Sequence, residues 1–163
     1  MKVYHGGTMI VEHPEVTKGR AGLDFGKGFY ITDIQRQAEA WADRMARIRI
    51  EKGIVSVYDF DDSVAKEKFS YKKFGEYDIE WLKFIVANRR GDSIVDDYDI
   101  VEGGIADDRV IDTIEAYMSN MMPLEIALKN LSEHRPNNQL CIRSQKVVDE
   151  CLQFVEAYNI MQY

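Results

Sequence analysis

The chain has 163 residues, of which 45% are apolar and 30% are charged. These proportions are ordinary for a soluble globular protein, and the length suits one core, so we expect a single domain over residues 1–163. The net charge of −7 disfavours nonspecific binding to nucleic acid and to anionic membranes, because such binding needs a basic surface.

Targeting signals and metal-binding motifs are missing from the sequence. The N-terminus has no apolar leader and no apolar run reaches membrane-spanning length, so we expect a cytoplasmic location, with delivery as an effector left open. Cys141 and Cys151 are the only cysteines, and both lie in apolar segments. We interpret them as buried, reduced thiols, and we expect no metal and no membrane partner.

Apolar runs bounded by glycine, proline or aspartate predict the strands. In chain order they cover residues 2–5, 29–31, 54–60, 98–101, 139–142 and 152–158. The first strand is expected to end at Gly6 and Gly7, and residues 11–22 are expected to form a loop. No structure is predicted for residues 65–75.

Apolar residues three or four apart predict the helices, which cover residues 32–52, 78–89, about 108–118, 123–131 and 144–151. Thr32 and Gln35 have the spacing of a capping box at the start of the first helix. Its predicted apolar face consists of Ile34, Ala38, Trp41, Met45 and Ile48. Short strands and helices follow each other without regular βαβ spacing, which indicates an α+β fold.

Residues 24–28 form a glycine-containing turn that leads into the aromatic strand 29–31. A ligand can approach a glycine backbone closely and the ring of Tyr30 offers a flat face, so this stretch suits a ligand platform. A tight turn followed by core aromatics is the alternative. A dinucleotide fingerprint is excluded because the glycines precede the strand.

Three separated segments together resemble the ADP-ribosyltransferase superfamily, in the histidine-tyrosine branch that includes the poly(ADP-ribose) polymerases and diphtheria toxin. They are Y-H-G-G at residues 4–7, F-G-K-G-F-Y-I-T-D at residues 25–33 and N-Q-L-C-I at residues 138–142. The sequence is most similar to an uncharacterised bacterial family of such domains, which pairs D-F-G-x-G-F-Y-x-T with a later G-x-x-A-D-D. Here that later element is G-G-I-A-D-D at residues 103–108.

The resemblance implies an ADP-ribosyltransferase-like fold, in which two small antiparallel or mixed sheets and flanking helices surround a cleft for NAD. It implies that His5 holds the adenosine-side ribose and that the Gly6 backbone binds the nicotinamide amide. Tyr30 would stack on the nicotinamide ring, and Trp41 occupies the position of a second aromatic. By the same resemblance Thr32 and Asp107 are candidate NAD contacts.

The sequence departs from the family at its catalytic glutamate, whose place is taken by Gln139. Glutamine can accept a hydrogen bond from the ribose, but it carries no charge to meet the positive charge of the transition state. Asp107 and Asp108 are candidate substitutes, and capping a helix is the other role open to them. With His5 and Tyr30, Gln139 completes the predicted catalytic set.

The expected function is therefore transfer of a single ADP-ribose from NAD to a protein or nucleic-acid acceptor, as the toxin of a bacterial toxin–antitoxin pair with a cognate antitoxin. Two alternatives stay open. One is a non-catalytic module that binds NAD or ADP-ribose, and the other is an NAD glycohydrolase in which water is the acceptor.

Overall fold

The computed structural model describes residues 1–92 and 97–161, which form an α+β fold with two small sheets. The strands are β1 (Lys2–Gly7), β2 (Phe29–Ile31), β3 (Ile54–Phe60), β4 (Tyr71–Lys73), β5 (Ile100–Gly103), β6 (Gln139–Ile142) and β7 (Leu152–Asn159). The described residues contain six α-helices: α1 (Gln35–Arg49), α2 (Asp62–Lys68), α3 (Ile79–Arg90), α4 (Ile111–Met118), α5 (Leu124–Ser132) and α6 (Gln145–Cys151). A 3-10 turn covers Val16–Lys18.

The first sheet has the antiparallel order β1-β3-β7, and the second has the order β2-β6-β5-β4. Strands β4 and β5 run parallel, whereas the other pairs of the second sheet are antiparallel. A single bridge joins the two sheets, because Tyr4 of β1 and Thr32 exchange backbone hydrogen bonds of 2.8 and 3.0 Å. The edges of β1 and β2 therefore meet at one point only.

The side chains of β6 alternate between two cores, as the two-residue period of a strand requires. Cys141 belongs to the core that α3, α4 and α5 form on one face of the second sheet. Leu140 and Ile142 belong to the core on the opposite face, which α6 and the first sheet close. A third, smaller cluster packs Ala38 and Ala42 of α1 against the first sheet.

Most predicted strands are confirmed, and three have the predicted bounds: β2, β3 and β6. The first strand does not end at the glycines, because Gly6 and Gly7 pair with Val55 and Ile54 of β3. Strand β5 begins two residues later than predicted. The unassigned stretch 65–75 contains the end of α2 and the whole of β4.

The predicted start of α1 is wrong, and its predicted apolar face is confirmed as buried only at Ala38. The helix begins at Gln35, and its N-cap residue is Ile34, which makes no side-chain capping bond. The hydroxyl of Thr32 instead donates to the carbonyl of Asn138, at 2.8 Å. The buried stripe consists of Ala38, Ala42 and Ala46, which bring the helix backbone close to β1. The larger apolar residues of the predicted face were misleading because close packing required the smallest ones.

The other predicted caps have mixed outcomes. Asp78 caps α3 as predicted, accepting from the backbone N–H of Trp81 at 2.9 Å, and Gly91 ends that helix in the left-handed conformation. The N-cap residue of α4 is Val110 rather than an aspartate, and Ser144 precedes α6 without a side-chain capping bond. The two cysteines are free and buried, as predicted. Among the described residues no helix is long and apolar enough to cross a membrane.

Candidate functional site

Beyond the Tyr4–Thr32 bridge the two strands separate, and we call this place the β1–β2 split. Tyr4 turns its backbone N–H and C=O towards Thr32, so Gly6, two residues further along β1, turns its own towards the same edge. Continued pairing would place Tyr30 opposite Gly6. No backbone hydrogen bond between β2 and Gly6 forms in the described structure. The split therefore leaves the backbone N–H and C=O of Gly6, which is itself buried, without a strand partner.

His5 spans the split with its side chain. Its Nδ1 lies 2.7 Å from the carbonyl oxygen of Tyr30, and its ring packs on Phe29 with centroids 4.5 Å apart. A carbonyl oxygen only accepts, so Nδ1 carries the proton and Nε2 is the acceptor of the neutral ring. Burial lowers the pKa of His5, although the bond to the Tyr30 carbonyl opposes this effect.

The Nε2 atom of His5 has no hydrogen-bond partner among the described residues. The neutral tautomer presents an acceptor there, which suits a ligand hydroxyl. The strand backbone at Gly7 runs close to this nitrogen, because a Cβ atom built on Gly7 would lie 3.6 Å from Nε2.

Tyr30 closes the turn that precedes it. Its hydroxyl donates to the carbonyl of Gly26 at 2.6 Å and accepts from the N–H of Phe25 at 3.1 Å. Its ring lies parallel to that of Phe25, with centroids 6.5 Å apart, and burial raises the pKa of the hydroxyl. The hydroxyl therefore holds the turn together, and the half-buried ring is what Tyr30 can offer a ligand.

The glycines of this region are required by internal packing. A Cβ on Gly6 would overlap the carbonyl oxygen of Ala38, and it would lie 3.0 Å from the N atom of Ala42. A Cβ on Gly28 would lie 2.6 Å from the Sγ atom of Cys141. Gly26 has φ +81°, a conformation that favours glycine. The glycines bring α1 and β6 close to the split, so ligand approach is not needed to explain them.

Trp41 lies on α1, one turn after Ala38, and is 42% exposed. The guanidinium of Arg44 lies 5.8 Å from the centre of its indole ring and also 3.6 Å from the carboxylate of Asp108. This side of α1 therefore faces the loop before α4. The indole is partly exposed and has the Arg44 guanidinium over it, and stacking of Trp41 on a ligand stays a prediction.

Gln139 is the first residue of β6 and pairs with Gly103 of β5. It lies two residues before Cys141, the direct cross-strand partner of Tyr30. Side chains two residues apart share a face of the sheet, so Gln139 and Tyr30 emerge on the same face. The half-exposed amide of Gln139 makes no side-chain hydrogen bond within the described residues. It is a free donor and acceptor on the same face of the sheet as Tyr30.

Thr32 and Asp107 have their polar groups occupied by the protein. Thr32 is 3% exposed, and its hydroxyl bonds Asn138 and the N–H of Ile34. The carboxylate of Asp107 binds Arg109 in two bonds of 2.6 and 2.9 Å. Burial disfavours the charge on Asp107, but the bonds with Arg109 outweigh it and lower the pKa of this carboxyl. The structure thus gives both residues an anchoring role.

Sequence reasoning missed a buried carboxylate beside this site. Glu102 of β5 is 6% exposed, and it accepts from the Tyr71 hydroxyl at 2.6 Å, the Lys73 ammonium at 3.0 Å and the Asn138 amide at 3.3 Å. A charged residue inside the otherwise apolar strand I-V-E-G was the signal that could have found it.

The charges around the split are paired rather than clustered. Asp24 is bound by Arg89 at 2.8 Å and by the N–H of Ala106 at 2.7 Å, which fixes the turn against the loop before α4. In the described part of the chain, no group of three or more His, Cys, Asp and Glu side chains is placed to hold a metal. The groups left for a ligand are the Gly6 backbone, His5 Nε2, the Gln139 amide and the rings of Tyr30 and Trp41.

Comparison with known proteins identifies the family of this chain. No curated protein and no solved structure matches it. A family model described as "Protein of unknown function (DUF3990)" matches residues 1–154, which cover nearly the whole sequence. The chain therefore belongs to the DUF3990 family.

Proposed function

We propose that the β1–β2 split binds NAD and that the protein transfers a single ADP-ribose from it to a macromolecular acceptor. The observation that supports this most is the unpaired edge of β1 at Gly6, with His5 on one side and Tyr30 across the gap. A backbone N–H and C=O side by side match a primary amide, which has one acceptor and two donors. The carboxamide of nicotinamide is such a group.

The remaining free groups fit the rest of the dinucleotide. His5 Nε2 is an acceptor for a ribose hydroxyl, and its lowered pKa keeps it in the accepting, neutral form near neutral pH. The ring of Tyr30 and the exposed indole of Trp41 offer stacking surfaces for the nicotinamide ring. An ADP-ribosyltransferase fold, with the split as its NAD cleft, accounts for these placements together.

Gln139 takes part in the proposed transfer by orienting the nicotinamide-side ribose. The bond from the ribose C1′ to the nicotinamide nitrogen breaks, and the acceptor nucleophile bonds to C1′ and loses its proton. The Gln139 amide oxygen can accept from a ribose hydroxyl and place it, which contributes through orientation. A neutral acceptor is weaker than a carboxylate, so we expect slow transfer of one unit without chain elongation.

The arrangement of the carboxylates also favours a second candidate, a module that binds NAD or ADP-ribose without cleaving it. Asp107, Asp24 and Glu102 are each held by protein donors. The side chain of Asp108 is 92% exposed and lies 3.6 Å from the Arg44 guanidinium. In the described structure none of these four carboxylates is free beside Gln139 to replace the missing charge.

The experiment that separates the two candidates measures nicotinamide release and labelling of cell lysate for the wild type, Gln139→Leu and Gln139→Glu. Transfer predicts that wild type labels a lysate component and that Gln139→Leu loses this labelling. Gln139→Glu should release nicotinamide faster in water, by about 10²–10³-fold if the carboxylate meets the developing charge directly.

A matched control is Gln153→Glu, which adds the same charge at an exposed position of β7 in the other sheet. It should leave nicotinamide release unchanged. If wild type and Gln139→Glu both bind NAD but release no nicotinamide, the transfer proposal fails and the binding module remains. If Gln139→Leu labels lysate as well as wild type does, Gln139 has no part in the reaction.

A further inference from the structure

We propose that Glu102 is a positioning residue for Gln139, acting through the side chain of Asn138. The ligand named in its test, NAD, rests on the proposed function. The inference itself rests on a hydrogen-bonded junction around Asn138, which we call the Asn138 junction. Asn138 immediately precedes Gln139, so hydrogen bonds that hold Asn138 in place also determine the position of the Gln139 Cα atom and the direction of its side chain.

Four hydrogen bonds converge on Asn138. Its backbone carbonyl accepts from the Thr32 hydroxyl at 2.8 Å and from the Gln37 amide at 3.0 Å. Its side-chain amide donates to Asp33 at 3.0 Å and to Glu102 at 3.3 Å. The junction therefore ties the end of β2, the first turn of α1 and strand β5 to the start of β6.

Glu102 is the buried member of this junction. Its carboxylate is held inside the second sheet, with its side chain 7% exposed, whereas its partner Lys73 is 60% exposed. A buried charge is costly, and an apolar residue of similar size often serves stability as well or better. Stability alone is therefore a weak reason for a glutamate at this place. Its bond to Asn138 connects Glu102 to the residue that precedes Gln139, whose side chain lies on the same face of the sheet as Tyr30.

Because its partners bind different oxygens, a contribution of Glu102 to stability can be separated from its role in positioning Gln139. The Tyr71 hydroxyl bonds Oε2, while Asn138 and Lys73 bond Oε1. Tyr71→Phe removes the shorter bond and leaves the Asn138 junction untouched. Glu102→Met removes all three bonds, to Tyr71, Lys73 and Asn138, while keeping the volume of the side chain. Both variants remove the partly buried bond between Tyr71 and Glu102, but only Glu102→Met also removes the bond to Asn138, the residue before Gln139.

The test is a double-mutant cycle on NAD affinity, measured by calorimetry with the full chain. We expect Glu102→Met to weaken NAD binding about tenfold, the size of one lost hydrogen bond to a charged group. Adding Gln139→Leu to Glu102→Met should weaken binding little further, because both changes remove the same contact. Tyr71→Phe should change NAD affinity less than twofold, and its effect should add to that of Gln139→Leu.

A second readout does not depend on NAD. The backbone amide resonance of Gln139 should shift in Glu102→Met and in Asn138→Ala, and should stay in place in Tyr71→Phe. Asn138→Ala replaces Glu102→Met as the test variant if the latter does not fold. Unchanged NAD affinity and an unchanged Gln139 resonance in the folded variants would overturn the inference. Failure of the wild type to bind NAD would overturn the proposed function instead, and the resonance alone would then decide the role of Glu102.

Discussion

Substitution of Gly6 tests the closest approach in the fold, the packing of α1 onto β1. An alanine Cβ at Gly6 would overlap the carbonyl oxygen of Ala38 and lie 2.9 Å from its carbonyl carbon. Both atoms are helix backbone and cannot rotate away, so α1 must shift from the stripe of alanines that it buries. Overpacking of this kind costs about 1–3 kcal/mol, and we expect Gly6→Ala to lie at the upper end.

Gly7→Ala is the matched control, because the new Cβ would be 3.6 Å from the nearest neighbouring atom, the His5 Nε2. We expect its free energy of unfolding to lie within about 1 kcal/mol of wild type. For a chain of this length a loss of 3 kcal/mol corresponds to a fall in Tm of roughly 6–12 °C. Thermal and urea unfolding of both variants provide the assay. A Gly6→Ala protein as stable as wild type would refute the close approach of α1.

Three further predictions concern single side chains. Tyr30→Phe removes the two hydroxyl bonds that close the turn, so the free energy of unfolding should fall by about 1–3 kcal/mol. The ring is kept, so ligand binding should persist. Unchanged stability in urea unfolding would contradict this. The pKa of His5 is lower in the folded chain than its unfolded value of 6.5, so its contribution to stability is complete above pH 6.5 and is lost as the pH falls through the folded pKa. The difference between wild type and His5→Gln in urea unfolding should therefore change between pH 7.5 and pH 5, and a pH-independent difference would rule this out. Cys141 and Cys151 are free, so adding reductant should leave Tm unchanged, and a clear loss of Tm would reveal a disulfide.

The elements that could be predicted from the sequence are those in which local signals and burial agree. Strand β3 is a β-branched and aromatic run closed by aspartates, and α3 has an aspartate at its start and a glycine at its end. The first helix was predicted, but its buried face was largely mispredicted because its large apolar residues are not its buried ones. Gly6 allows α1 to pack very close to β1, and this close packing selects the small residues as the buried stripe of the helix. The contact joins Gly6 to Ala38, 32 residues later in the sequence, so the periodicity of α1 alone cannot indicate it.

In the candidate site, too, some features follow from local sequence motifs and others depend on contacts between distant residues. His5, Tyr30 and Gln139 were proposed from motif order, and the structure places His5 against the Tyr30 carbonyl and Gln139 on the same face as Tyr30. The anchoring role of Thr32 depends on Asn138, a partner distant in sequence that no local pattern indicates. Asp107 is held by Arg109, two residues further on, and also by the distant Asn137 at 3.1 Å. Glu102 was missed for the same reason, since its three partners come from strand β4 and from the loop before β6.

The most direct test of the central claim is a calorimetric titration of the protein with NAD, compared with His5→Ala. The account predicts saturable binding by wild type that nicotinamide weakens by competition at the Gly6 edge. Loss of the His5 acceptor should weaken NAD binding about fivefold or more. One hydrogen bond contributes about 1 kcal/mol, and the ribose hydroxyl left without an acceptor in the site adds to the loss. Absence of binding by folded wild type at millimolar NAD, or equal NAD affinity in His5→Ala, would contradict the account.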